Sequence, residues 1–412
     1  MNIAIISHYF YPEICAPSAR LKEMADVWVS EGHRVSVITN FPNHPTGIVH
    51  PEYRGRKFMI ERMDGLEVIR CKTLATPNKG FLKKVTGHLR FMVNSITQGI
   101  KHLEGPMEKP DVIVASSPTL FSVVSAWYAS RKLKCPYIFE VRDLWPAIFV
   151  DLGTLKNPVI IKMLETLELF LYRKSTAVVT VTQSFAQDIM KRGIDKNKVF
   201  FIPNGVDLTR FYPDPQSGSL LRKELSLQDK YIILYIGAHG ISHGLNSVIE
   251  TARLLHREEE IHFLFVGEGA EKENLCSLAE RMHLKNITFL PGQPKEKMRS
   301  FYNLADVCLV PLRNIPLFKT FIPSKMFEIM GCGRPILASL EGEAADILRR
   351  SGGAVIIPPE DSNRMSQEIL MLARDKERCL ALGDKGRKFV LENFDRTVLA
   401  RRYLQLMEGI TS

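Results

Sequence analysis

The sequence predicts an α/β protein of two doubly wound domains. Three observations carry this. Short β-branched runs alternate with segments of helical period along nearly the whole chain, the alternation breaks once near the middle, and 412 residues suffice for two or three ordinary domains. The first series of strands reads 2–6, 34–38, 66–70, 111–115, 136–141, 176–181 and 198–202. The second reads 230–236, 261–266, 286–290, 306–310, 334–338 and 353–357. Between the first two strands, Leu21, Met24, Ala25, Trp28 and Val29 recur at helical spacing, and Gly32 is placed to end the helix. Apolar strands separated by helices imply parallel sheets covered on both faces. Residues 204–226 are rich in turn formers and hold no strand-like run, so they read as a linker between domains at 1–203 and 227–392.

Composition narrows the function. Hydrophobic residues make up 45% and charged residues 24%, which excludes extensive disorder. The formal charge of +10 is uneven: residues 1–200 carry +9, and residues 54–101 alone hold 11 basic against 3 acidic groups. A coat for nucleic acid would be basic throughout, whereas a local anionic docking face fits this distribution. Seven cysteines, the nearest two 24 residues apart, offer no metal or redox spacing and fit a reduced, cytoplasmic setting. The N-terminus has no basic region before its short apolar run, and no run of about 18 apolar residues occurs, so neither a signal peptide nor a membrane span is expected.

Ligands of doubly wound sheets bind beyond the carboxyl ends of the strands. After the first strand the chain reads Ser7–His8–Tyr9–Phe10–Tyr11–Pro12, with no glycine before the helix. Close backbone approach to a pyrophosphate lacks its usual residue here, which argues against a nicotinamide dinucleotide site. His8, Tyr9 and Tyr11 are instead polar aromatics placed to face a second substrate. The second domain opens differently: Gly237, Gly240 and Gly244 follow its first strand, with His239 and His243 between them. Such a loop lets backbone N–H groups converge on an anion near a helix N-terminus. Gly267 and Gly269 make a further tight turn after the next strand. The segment 313–346 supplies Arg313, Lys319 and Lys325, followed by Glu328 on an apparent helix. A carboxylate here can accept two ribose hydroxyls while the cations and loop amides neutralise a diphosphate.

Four stretches resemble glycosyltransferase family 4: Glu31–Gly32–His33–Arg34–Val35, Ile202–Pro203–Asn204–Gly205–Val206–Asp207, Phe289–Leu290–Pro291–Gly292, and Pro323 to Ile336. Val141–Arg142–Asp143–Leu144–Trp145–Pro146 and Ile322–Pro323–Ser324–Lys325 further resemble a bacterial branch that transfers N-acetyl-L-fucosamine or similar amino sugars in O-antigen and capsule assembly. The resemblance implies a GT-B fold, with Rossmann-like domains facing across a cleft and a C-terminal helix, 393–412, crossing back to the first. It implies a nucleotide sugar, expected to be a UDP-sugar, bound by the second domain through Gly237, Gly240, His243, Gly267, Lys319, Thr320, Ser324, Lys325 and Glu328. It further implies transfer with retention, no cofactor and no required metal. Three departures matter. Thr320 stands where the family's first paired glutamate would fall, leaving Glu328 with the ribose role. Arg142 stands where a histidine is common, so Asp143 becomes the better candidate for proton work, Arg being a poor base. His243–Gly244 replaces a common Lys–Gly.

Residues 79–102 repeat Leu82, Val85, Leu89, Met92, Val93, Ile96 and Ile100 at helical spacing. Lys83, Lys84, Arg90 and Lys101 flank that stripe, and Phe81 and Phe91 add apolar bulk. A basic amphipathic helix lying on an anionic membrane has this composition. The expectation is a glycosyltransferase peripheral on the cytoplasmic face of the cell membrane, acting on a polyprenyl-diphosphate-linked saccharide in O-antigen, capsule or exopolysaccharide assembly. The alternatives are a UDP-sugar epimerase on the same fold and a non-catalytic, membrane-peripheral binding module.

Overall fold

The computed structural model describes residues 1–13, 15–44, 46–75, 81–105, 109–151 and 153–411, the side chains of residues 81–84 excepted. It divides into two compact units, Met1–Asn204 with Arg396–Ser412, and Gly205–Asp395.

The first unit is built on eight strands: β1 (Asn2–Ser7), β2 (Arg34–Asn40), β3 (Phe58–Met63), β4 (Leu66–Cys71), β5 (Val112–Ser116), β6 (Tyr137–Val141), β7 (Ala177–Thr180) and β8 (Val199–Phe201). Their order is β3-β4-β2-β1-β5-β6-β7-β8, parallel except that β3 runs antiparallel to β4. Strand β3 is absent from the sequence reading. It carries Glu61 and Arg62, alternates exposed with half-buried positions and lies at the sheet edge, where no continuous apolar run is needed.

Ile3, Ile5, Val37, Val68, Val112 and Val114 form one face of the core, against Leu21, Met24 and Trp28 of the helix Ala16–Ser30. The C-terminal helix Arg396–Thr411 adds Leu399, Ala400, Tyr403, Leu404 and Met407 to the same core. Trp28 donates from Nε1 to the Ala400 carbonyl at 2.9 Å, and its ring meets Tyr403 at 5.5 Å. A fully buried side chain of this size contributes about 1.5–3 kcal/mol, so the last helix is an integral part of the first unit.

The second unit holds β9 (Tyr231–Ile236), β10 (Ile261–Val266), β11 (Ile287–Leu290), β12 (Val307–Pro311), β13 (Ile336–Ser339) and β14 (Ala354–Ile357), all parallel in the order β11-β10-β9-β12-β13-β14. In each sheet the strand order reverses beside the first strand, between β1 and β5 and between β9 and β12. Those switch points are where doubly wound sheets bind ligands.

Two expectations are corrected. The stretch 204–226 is not a free linker, because Pro215–Glu224 is a helix of the second unit. The Asp214 side chain caps it and Pro215 opens it, while Gly218 lies against the Asn303 backbone, where a Cβ would come within 2.4 Å of the carbonyl oxygen. The turn formers Asp214 and Pro215 are thus a helix start. The second correction concerns Phe91, placed on the membrane-facing stripe. It lies on the helix Phe81–Asn94 but is fully buried, its ring 5.1 Å from His8. The apolar stripe of that helix is divided, one part packing inward. Leu89 and Val93, 36% and 48% exposed, flank exposed Arg90 on the outer side. The side chains of Phe81, Lys83 and Lys84 lie outside the described residues. Among the described residues no helix is long and apolar enough to cross a membrane.

Candidate active site

In the second unit, two glycine turns pack backbone to backbone. Gly237, at the end of β9, has φ +138°, and Gly267, at the end of β10, has φ +150°. A Cβ on Gly267 would fall 1.9 Å from the Gly237 carbonyl oxygen, so only glycine fits. A Cβ on Gly237 would fall 2.8 Å from Lys325 Nζ. The glycine loop and the lysine therefore meet at one point, although 88 residues separate them in the chain.

Lys325 begins the helix Lys325–Gly331, next to Ser324. Its Nζ is buried without a hydrogen-bond partner and sits 4.0 Å above the Tyr235 ring. Burial pushes its pKa down to about 7, with Glu328 acting in the opposite sense. His239 is fully buried and neither ring nitrogen has a partner. Burial, then Lys272 and Lys325, lower its pKa to about 4. His243 falls to about 3, again through burial first and Lys325 second, so both imidazoles are neutral at pH 7. Glu328 accepts a 2.7 Å hydrogen bond from the buried Tyr302 hydroxyl, which orients the carboxylate.

The remaining cations differ. Lys319 pairs with Glu341 at 2.7 Å, and Arg313 lies 3.9 Å from Glu360. The Arg313 amide nevertheless donates to the Ser242 carbonyl at 2.9 Å, tying it to the glycine loop. Thr320 turns its hydroxyl back to the Leu317 carbonyl at 2.6 Å. Gly240 leads into the short turn that carries His243. Sequence reasoning missed the roles of Tyr235, Tyr302 and His239. The glycine spacing around His239 was visible, but burial of its ring among Tyr235, Phe265 and Phe289 was not.

In the first unit, His8 leaves the end of β1 and buries its ring against Tyr9, His88 and Phe91 at 4.9, 4.8 and 5.1 Å. Burial and the neighbouring His88 and His44 hold His8 well below the usual imidazole range. Tyr9 is pushed up by burial, while Tyr11 is 47% exposed beneath Lys22. Glu13 Oε1 accepts the Asn43 and His44 amides at 2.9 and 3.0 Å, clamping the loop after β2 onto the loop after β1.

Arg142 and Asp143 follow β6. The Arg142 amide donates to Ser117 Oγ at 2.8 Å, fixing this strand end to that of β5. Burial raises the Asp143 pKa to about 6 against the pull of Arg142. A carboxyl group poised there can exchange a proton near neutral pH. Arg142 is buried, and burial lowers its pKa to about 10, so it stays charged.

Residues 16–205 match the glycosyl transferase 4-like domain, and residues 219–389 match glycosyl transferases group 1. The chain is 25% identical to the protein described as colanic acid biosynthesis glycosyl transferase WcaI of Escherichia coli K12, over 99% of this chain and 100% of that one. Among solved structures it resembles a sucrose-phosphate synthase of Thermosynechococcus elongatus, with a TM-score of 0.78 at 19% identity, covering 99% and 98% of the two chains. Anabaena HepE in complex with UDP and glucose gives 0.75 at 15% identity, covering 99% of both chains. Two domain matches in this order, laid on two doubly wound units, identify the chain as a member of glycosyltransferase family 4 with the GT-B fold.

Proposed function

We propose that this glycosyltransferase moves a sugar from a UDP-sugar to a polyprenyl-diphosphate-linked saccharide during assembly of a surface polysaccharide, at the cytoplasmic face of the membrane. The second unit takes the donor and the first takes the acceptor. One observation carries the donor assignment: Lys325 Nζ, buried and unpaired, stands over the glycine turn at Gly237. A diphosphate there gains backbone amides and a cation in a site of low dielectric. Glu328, oriented by Tyr302, takes the ribose hydroxyls, and Gly240, His243, Gly267, Lys319, Thr320 and Ser324 border the donor. The likeness to a chain crystallised with UDP and glucose supports the same reading.

Asp143 handles the acceptor proton or positions the sugar, and Arg142 stabilises negative charge beside it. His8, Tyr9 and Tyr11 present the acceptor. The sugar is an N-acetylated amino sugar such as N-acetyl-L-fucosamine, transferred with retention and without a metal ion, the leaving diphosphate assisting deprotonation. Relationship to a colanic acid transferase supports polysaccharide assembly. Exposed Leu89 and Val93 around Arg90 support docking on an anionic bilayer, which brings the enzyme to an acceptor that cannot leave it.

The test is calorimetry with UDP, followed by turnover of a panel of UDP-sugars with a lipid-diphosphate sugar. Glycosylated lipid is the expected product. A changed free sugar nucleotide, formed without acceptor, would make the protein an epimerase, and tight UDP binding with no turnover would make it a binding module.

A further inference from the structure

Arg142 is 8% exposed, yet its Nε and Nη1 atoms have no hydrogen-bond partner. Unused donors on a buried guanidinium are costly, because each loses its water without replacement. The nearby carboxylates do not fill these donors. Glu140, two residues earlier, gives one oxygen to Arg20 Nε at 3.1 Å and the other to Ser116 Oγ at 2.9 Å. Arg396, a further charged neighbour of Arg142, pairs with Glu23 at 2.9 Å. Arg20 is in turn fully engaged, donating also to the Ile202 and Pro203 carbonyls. Asp143 and Glu140 attract the Arg142 charge, but neither gives a hydrogen bond to Nε or Nη1, so at the carboxyl end of β6 these two donors stand unfilled.

From this we infer that Arg142 is the seat of a permanent anionic group on the substrate, a carboxylate or phosphate gripped by the guanidinium fork. The inference rests on the transferase reading and deepens it, since it gives the substrate bound by the first unit a charge class. Two sources offer that chemistry: a uronic-acid carboxylate on the saccharide, and the diphosphate that links it to lipid. A neutral sugar hydroxyl would leave the fork without the charge it is shaped for.

The test uses the full chain with its donor site saturated by UDP. Methyl glucuronide is titrated against methyl glucoside, and geranyl diphosphate against geraniol, by calorimetry. One of the two anions is expected to bind about tenfold or more tighter than its neutral partner. Arg142→Gln should abolish that preference without changing UDP affinity. Arg142→Lys keeps the charge but not the fork, so it should retain only part of the preference, and it remains informative if the Gln variant fails to fold. Preference for the glucuronide assigns the carboxylate source, and preference for geranyl diphosphate the lipid source. Equal binding of anion and neutral analogue by the wild type, or wild-type preference in both variants, would overturn the inference. Failure to bind UDP counts instead against the transferase reading, and the anion titrations stay readable because Arg142 belongs to the first unit.

Discussion

The loops that follow the first strand of each unit solve different problems at the same topological position. After β9 the chain presents glycines, and what it offers a ligand is backbone plus one lysine brought from far along the sequence. After β1 it presents no glycine, and what it offers is side chains: His8, Tyr9, Tyr11 and the clamp made by Glu13. Backbone amides recognise any diphosphate, so they suit the invariant part of a donor. Side chains can be varied one at a time, so they suit an acceptor that differs between related enzymes.

The sharpest way to break this contrast is one small substitution on each side. Gly267→Ala puts a Cβ 1.9 Å from the Gly237 carbonyl oxygen and forces a positive φ on alanine, so about 3 kcal/mol of stability should be lost. Tyr11→Phe, at an exposed position of the other loop, should cost about 0.5 kcal/mol or less. Urea denaturation of both variants checks the difference, and equal losses would remove the distinction between a backbone-built and a side-chain-built site.

Next in size is the proton-bearing group of the first unit. Asp143→Asn should lower kcat by about 100–1,000-fold while leaving UDP affinity intact. The Asp143 carboxyl, raised to about 6, is ionised above that pH, so wild-type kcat/KM should fall as pH drops below about 6. A rate–pH profile with no such limb would take Asp143 out of proton transfer.

Lys325→Met should weaken UDP binding by about tenfold to a hundredfold, and the pH dependence separates it from a packing defect. With its pKa at about 7, Lys325 is charged below that value, so wild-type UDP affinity should decline as pH rises above about 7. The Met variant should lose that decline. Calorimetry in buffers of different ionisation enthalpy would also register proton uptake on UDP binding.

The smallest effect concerns the outer side of the helix Phe81–Asn94. Replacing Leu89 and Val93 by serine should reduce binding to anionic liposomes by about threefold to tenfold, with donor binding unchanged. Phe91→Ser, at a buried position, should destabilise the fold instead. Liposome sedimentation beside thermal melts tells the two apart.

Much of the architecture was legible locally. Buried parallel strands need continuous apolar runs, and each such run in the sequence became a strand within a residue or two at its ends. Edge strand β3 escaped because one of its faces stays wet, and the helix at Pro215–Glu224 escaped because the turn formers Asp214 and Pro215 also start helices. The helix Phe81–Asn94 was legible as amphipathic, but periodicity cannot say whether a stripe packs inward or faces a membrane. The inward contact of Phe91 with His8 answers that for one residue, and the exposure of Leu89 and Val93 answers it oppositely for two others.

The candidate site divides in the same way. The glycines, Glu328 and Lys325 stand out by residue type and spacing, because the chemistry of a diphosphate and a ribose demands those types. Which cations remain unpaired was decided only by tertiary packing. Lys319 meets Glu341, Arg20 meets Glu140, and Lys325 Nζ and Arg142 Nε and Nη1 are left without hydrogen-bond partners. By itself the sequence determined two parallel sheets with a glycine-built loop in one and a glycine-free loop in the other, since strand and turn preferences act over a few neighbouring residues. The tertiary structure decided which charges are buried and unspent. The Arg20–Glu140 pair depends on groups 120 residues apart arriving within 3.1 Å, and no local pattern records that.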